Sequence, residues 1–314
     1  MEEYVLRTYG LTKKYGNKIV LNNVNLSIRK GDIYGFIGPN GAGKTTAMKT
    51  ILDLVTPNEG AIELFGRPRT NGSLNRVGSL IEAPGLYTAC TAYENMKRFS
   101  ILCGGTDEDI RFYLRMVGLE AVGNKKVGAF SLGMKQRLGI AIALLGNPEL
   151  LILDEPVNGL DPMGMRDVRD IIQFINKERG VTFFISSHLL GELEKIANVY
   201  GIINCGILLE EITSAELENR CGFNVVVKCS DPERAVQVLR EKFSIENVSS
   251  ENVSSENNTL TIPADPALSA KINSELVTSG IMVSELGVNR ISYEDYLLNR
   301  MGMLNVGSGV GQYV

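Results

Sequence analysis

Two rhythms of apolar and polar positions run through this chain. From residue 4 to residue 37 apolar positions recur among polar ones, as at Leu21, Val24, Leu26 and Ile28, with turns at Gly10, Gly16-Asn17 and Lys30-Gly31. That period predicts short, half-buried antiparallel strands. Largely apolar runs stand at 33–37, 77–82, 150–153 and 181–185, and a further strand is expected at 60–65. Short runs of this kind, closed by glycine, proline or an acid, predict buried strands. Between them the period becomes helical. Residues 92–117 carry Met96, Phe99, Ile101 and Leu102, then Ile110, Phe112, Tyr113, Leu114 and Val117, and open a helical insertion spanning about 86–146. Ser131 caps a helix on which Leu138, Ala141, Ile142 and Leu145 recur before Gly146 and Pro148 end it. Asp161 caps another, with Pro162 at its first position, Val168, Ile171, Ile172 and Ile175 at i, i+3, i+4, i+7, and Gly180 as its stop.

Beyond residue 218 the composition shifts. Strands at 225–227, 259–262 and 281–285 and helices at 232–243, 266–279 and 293–300 predict a small α+β domain over 219–304. Residues 246–250 and 251–255 repeat the pentapeptide Glu-Asn-Val-Ser-Ser, too few units for a solenoid, and predict a duplicated hairpin tip or a loop. The glycine-rich stretch 305–314 is expected to be a disordered tail.

Composition narrows the class. The chain has 314 residues, 44% hydrophobic and 22% charged, enough for two domains of ordinary globular type. A net charge of −4 without a long basic run argues against nucleic acid or an anionic membrane surface as partner. No stretch reaches the roughly 20 apolar residues of a membrane span, and Met1-Glu2-Glu3-Tyr4 does not begin a signal peptide, so a cytosolic chain is expected. Cys90, Cys103, Cys205, Cys221 and Cys229 form no C-x-x-C pair and are expected to be reduced, mostly buried thiols. His188 is the only histidine, which leaves no Cys/His metal site.

The chemistry is concentrated in a few places. After the apolar run at 33–37 comes Gly38-Pro39-Asn40-Gly41-Ala42-Gly43-Lys44-Thr45-Thr46, the spacing of a phosphate-binding loop. A triphosphate needs many backbone N–H donors at close range, and the glycines permit that approach. The helix beginning near Lys44 adds the positive end of its dipole, Lys44 reaches the β- and γ-phosphates, and the Thr45 hydroxyl is placed for Mg²⁺. The run 150–153 ends in Asp154-Glu155-Pro156. Adjacent acids at the carboxyl end of a buried strand fit Asp154 on Mg²⁺ and Glu155 as the base for an attacking water. His188 follows the run 181–185 at the same kind of edge, where open α/β sheets bind ligands. Tyr15 lies in a turn upstream of the loop, either stacking on a purine or capping the small sheet.

In this order the pieces resemble the nucleotide-binding subunit of an ATP-binding-cassette (ABC) transporter, over about residues 4–215. Gly38 to Thr46 match its Walker A loop, Leu150 to Glu155 its Walker B strand with the catalytic Glu, and Asn158-Gly159-Leu160-Asp161 its D-loop. His188 matches the switch histidine and Tyr15 the adenine-stacking aromatic. Phe130-Ser131-Leu132-Gly133-Met134 stands where the family has Leu-Ser-Gly-Gly-Gln, so Leu132 and Met134 depart from the pattern. The resemblance implies an α/β P-loop NTPase core with an antiparallel β subdomain and a helical subdomain. It also implies ATP and Mg²⁺ as cofactors and a head-to-tail homodimer in which Ser131, Gly133 and Asp161 of one subunit close on the ATP of the other. A separate integral-membrane permease is the expected partner, the only route of membrane contact, with the subunit at the inner face of the cell membrane. At the position of the family's Q-loop glutamine stands Glu82, which makes it a candidate catalytic and Mg²⁺-binding residue close to Asp154 and Glu155. A glutamate there is similar to the bacitracin-resistance and lantibiotic-immunity branch, which exports peptide antibiotics. The alternatives are an exporter subunit for another cargo and a non-transport ABC ATPase; the second lacks the long coiled coil, second cassette or basic surface it would need.

Overall fold

A computed structural model of the chain describes residues 4–103, 105–243, 253–254, 258–290 and 292–302. The chain divides into two compact units, with the break between Ser214 and Ala215.

The first unit opens with β1 (Tyr4–Tyr15), β2 (Lys18–Val24) and β3 (Ser27–Arg29), followed by β4 (Ile33–Ile37) and α1 (Lys44–Ile51). Then come β5 (Glu59–Leu64), β6 (Arg67–Pro68), α2 (Asn71–Leu74) and β7 (Val77–Leu80). Three helices follow, α3 (Ala92–Cys103), α4 (Asp107–Met116) and α5 (Leu132–Ala143). The unit is completed by β8 (Leu150–Asp154), α6 (Pro162–Arg179), β9 (Thr182–Ser187), α7 (Leu190–Leu193), β10 (Val199–Asn204) and β11 (Ile207–Thr213).

The half-buried early strands make the expected antiparallel sheet, in the order β2-β1-β5-β6 with β3 also on β1. The largely apolar runs at 33–37, 77–82, 150–153 and 181–185 supply β4, β7, β8 and β9 of a second sheet, β11-β10-β4-β9-β8-β7, parallel from β10 to β7 and antiparallel only at the β11 edge. Every residue of β4, β8 and β9 is buried, which is why these strands read as largely apolar runs. One core joins the two sheets: Leu6, Leu11 and Leu21 from the first meet Tyr34, Phe36, Ile152 and Phe184 from the second. Phe184 stands edge-on to Tyr34 with ring centroids 5.6 Å apart and lies 5.3 Å from Phe36. α6 buries Val168, Ile171, Ile172 and Ile175. The parallel strands β4, β8 and β9 therefore end together, and whatever follows each of them is collected along one edge.

The second unit contains α8 (Ser214–Arg220), which starts one residue before the break, then β12 (Phe223–Cys229), α9 (Pro232–Phe243), β13 (Val253–Ser254), β14 (Thr259–Pro263), α10 (Ser269–Thr278), β15 (Val283–Arg290) and α11 (Tyr293–Arg300). Its sheet is antiparallel in the order β13-β14-β12-β15, the arrangement of a split β-α-β-β-α-β unit. Val225, Val227, Leu260 and Ile262 alternate onto one face and pack with Ala235 and Leu239 of α9 and Ile272 and Leu276 of α10. The helix expected over 266–279 divides into a single tight turn, Pro266–Leu268, and α10, because Asp265 caps the turn through the Ala267 N–H at 2.8 Å. Of the pentapeptide repeat only Val253 and Ser254 are among the described residues, paired with β14; the stretch 305–314 lies outside them. The expectation of mostly buried thiols is corrected: Cys221 and Cys229 are buried, Cys90 is half-buried, and Cys103 and Cys205 are exposed.

Candidate active site

The site is built on the ends of three parallel strands, β4, β8 and β9. β4 leads into the loop 38–43, and Gly43, at φ 107°, is the N-cap of α1. A Cβ on Gly38 would stand 2.2 Å from the Ile203 carbonyl oxygen, and one on Gly43 would stand 2.8 Å from that of Val20. The loop therefore lies flat on β10 and β2, and only glycine permits it. The turn between β10 and β11 closes its back, with the Gly206 N–H donating to the Ala42 carbonyl at 2.9 Å.

Lys44 is buried and folds over its own loop. Its Nζ donates to the carbonyls of Gly38 at 2.7 Å and Pro39 at 3.2 Å and lies 3.3 Å from Glu155 Oε1. Thr45, the next residue on α1, turns its hydroxyl to Asp154 Oδ2 at 2.8 Å. β8 and β9 run in register with Asp154 beside Ser186, so the Ser186 hydroxyl donates to Asp154 Oδ1 at 2.6 Å and accepts the Glu155 N–H at 2.9 Å. Glu155 has φ 49°, a left-handed backbone that costs a non-glycine residue on the order of 1–2 kcal/mol. That turn aims its carboxylate at two partners, Lys44 through Oε1 and His188 Nδ1 through Oε2 at 2.8 Å. The four polar residues expected at the sheet edge, Lys44, Asp154, Glu155 and His188, are thus brought together with Thr45. Ser186 belongs with them; it was visible as a hydroxyl after an apolar run, but only the strand register gives it Asp154.

Glu82 is not drawn into this cluster. It follows β7 with φ 60° and pairs with Lys49 Nζ at 2.5 Å. Among the described residues it makes no hydrogen bond or ion pair to Thr45, Asp154 or Glu155. Each of the three carboxylates has its own donors: Glu82 the Lys49 ammonium, Asp154 the Thr45 and Ser186 hydroxyls, and Glu155 the Lys44 ammonium and His188. The hydrogen-bonded Glu82 carboxylate holds the Lys49 ammonium above the ordinary lysine value, with a smaller pull from Asp154.

Tyr15 ends β1 at the hairpin to β2, half exposed, with the Lys13 ammonium 5.0 Å from its ring centroid. Ser131 caps α5 by accepting the Met134 N–H at 3.3 Å, and Asp161 caps α6 by accepting the Gly164 N–H at 2.9 Å. Ser131, Gly133, Gly159 and Asp161 border a separate open cavity of about 320 Å³ that contains no residue of the phosphate loop. Leu132 and Met163 stand exposed beside it.

A glycine-lined phosphate loop between strand and helix, with an acid pair on the neighbouring strand and a histidine on the next, defines a nucleotide-binding cassette ATPase. Comparison with known proteins gives the same class. The model of the family "ABC transporter" matches residues 21–158, and one described as "AAA domain, putative AbiEii toxin, Type IV TA system" matches 124–194, which hold β8, β9 and α6. The "Bacitracin transport ATP-binding protein BcrA" of Enterococcus faecalis is 40% identical over 304 residues, 96% of this chain and 97% of that one. The "Lantibiotic transport ATP-binding protein SrtF" of Streptococcus pyogenes is 48% identical over 208 residues, 66% of this chain and 90% of that one. Among solved structures, "Dimeric Structure of MJ0796, a Bacterial ABC Transporter Cassette" aligns with a TM-score of 0.61 at 25% identity, covering 67% of this chain and 98% of that one. The chain belongs to the family of ABC transporter ATP-binding proteins.

Proposed function

We propose that this chain is the ATP-hydrolysing subunit of an exporter that carries a peptide antibiotic out of the cell. The observation that carries the reading is the contact chain Lys44–Glu155–His188 at the mouth of the phosphate loop. In that reading residues 1–218 are the ATPase domain and 219–304 an accessory domain. The β- and γ-phosphates of ATP replace the Gly38 and Pro39 carbonyls as partners of Lys44, and the backbone N–H groups of 41–46 surround them. Tyr15 stacks on the adenine. The Thr45 hydroxyl and the Asp154 carboxylate, 2.8 Å apart, are two hard oxygen donors, the kind of set that holds Mg²⁺ while water and phosphate complete its shell. Bound there, Mg²⁺ supplies charge neutralisation to the phosphates. Glu155 accepts the proton of the attacking water, and His188 orients that carboxylate and faces the γ-phosphate. Glu82, paired with Lys49 and outside the cluster before nucleotide binds, joins the site as a second acid when ATP and Mg²⁺ are present.

Ser131, Gly133 and Asp161 border a cavity apart from the phosphate loop, which favours their serving the ATP of a second copy in a head-to-tail dimer. No helix among the described residues is long and apolar enough to cross a membrane. A separate permease then supplies the pathway, and the subunit works at the inner face of the cell membrane with no contact to lipid except through it. The cargo follows from the bacitracin and lantibiotic transport named for the relatives. The test is expression with the permease in a sensitive host, measuring the inhibitory concentrations of bacitracin and of a lantibiotic. The expected result is a rise for at least one peptide that Glu155→Gln abolishes; equal protection by the variant would contradict it.

A further inference from the structure

We propose that Lys49 is a positioning residue for Glu82, holding its carboxylate apart from the Asp154/Glu155 pair and competing with a divalent cation for it. The inference rests on the reading of Glu82 as a site residue and adds what controls it.

The geometry begins with the spacing on α1. Thr45 and Lys49 are four residues apart, so they share one face of the helix. Thr45 reaches Asp154 at the end of β8, and Lys49 reaches Glu82 beyond the end of β7. β7 and β8 run parallel with Leu80 beside Leu153 as the last pair, and Glu82 and Glu155 each follow two residues later, beyond the ends of these neighbouring strands. One helix face thus meets the acids of two adjacent strands, offering a neutral hydroxyl to one and an ammonium to the other.

Charge explains why the ammonium is needed. Glu155 has Lys44 and His188, and Asp154 has the hydroxyls of Thr45 and Ser186. Glu82 has Lys49 alone among its described partners, at 2.5 Å. Both groups are open to solvent, with side chains 32% and 64% exposed, so the pair is weak enough to exchange. A neutral glutamine at position 82 would need no such partner. A glutamate would otherwise add its negative charge beside Asp154 and Glu155, and Lys49 cancels that charge until a divalent cation arrives with the nucleotide.

The experiment titrates Mg²⁺ against binding of a fluorescent, non-hydrolysable ATP analogue to the full chain, for wild type, Lys49→Gln, Glu82→Gln and the double variant. Nucleotide-free melting temperatures are followed in parallel. Lys49→Gln is expected to lower the half-saturating Mg²⁺ by about two- to fivefold, the range of an exposed ion pair. In the Glu82→Gln background the same substitution should leave that value within about 1.5-fold, since the coupling partner is gone. Lys49→Arg should keep the wild-type value. If Lys49→Gln shifts the Mg²⁺ requirement equally in both backgrounds, or not at all while Glu82→Gln does shift it, Lys49 does not act through Glu82 and the inference is overturned with the Glu82 reading intact. If neither substitution moves it, both fall.

Discussion

The hydroxyl of Ser186 joins Asp154 to the backbone of its neighbour: it donates to Asp154 Oδ1 at 2.6 Å and accepts the Glu155 N–H at 2.9 Å. A single side chain on β9 therefore fixes both the orientation of the buried acid and the left-handed turn that aims Glu155. Ser186→Ala leaves a buried carboxylate oxygen and an N–H short of a partner, a loss of about 1–3 kcal/mol for such groups. We expect a lower melting temperature together with ATP turnover reduced about tenfold, whereas an unaltered turnover after a clear loss of stability would make Ser186 structural only.

Association should depend on ATP. Ser131 and Gly133 lie at the open N-terminus of α5, on a cavity that contains no phosphate-loop residue. Sedimentation of Glu155→Gln with saturating ATP should show a dimer, and Ser131→Arg in the same background should remain monomeric because its bulk fills that cavity. A wild-type-like dimer carrying Ser131→Arg would place the interface elsewhere.

Acid should loosen the helical insertion early. α3 and α4 both begin in reciprocal caps: Glu94 is held below its ordinary value first by the Thr91 backbone N–H and then by Lys126, and Asp109 by the Thr106 hydroxyl and then its N–H. Because both acids are depressed in the folded chain, their contribution is present above the unfolded values near 4 and is lost as pH falls through the lower, folded ones. The pair Glu94→Gln and Asp109→Asn should lower the melting temperature at about pH 6 and flatten its fall toward about pH 3. Parallel acid limbs for wild type and variant would show that these caps do not set the window.

The sequence was most legible where one physical cause dominates. β4 and β8 are buried on every side, so their composition alone predicts them, and Pro232 and Phe243 bound α9 at the expected places. The phosphate loop was readable because Gly38 and Gly43 meet backbone at distances no Cβ tolerates and Gly41 has a positive φ. Pairing was harder to read. β15 was expected at 281–285 but runs Val283–Arg290, since its partners on β12 carry it through Gly287. Ser186 and Lys49 escaped for the same reason: each gains its meaning from a neighbour on another element, Asp154 across a strand register and Glu82 across a helix face. Glu82 illustrates the converse, since its position was readable and its partner was not.

In the proposed function Glu155, held between Lys44 and His188, is the base that turns bound ATP into a hydrolysed product. Paired measurements on purified wild type and Glu155→Gln test it most directly: equilibrium binding of ATP with Mg²⁺, and steady-state release of phosphate. The expected result is binding within a few-fold of wild type and turnover lower by about 10²-fold or more. Undiminished phosphate release by Glu155→Gln would place the base on another residue.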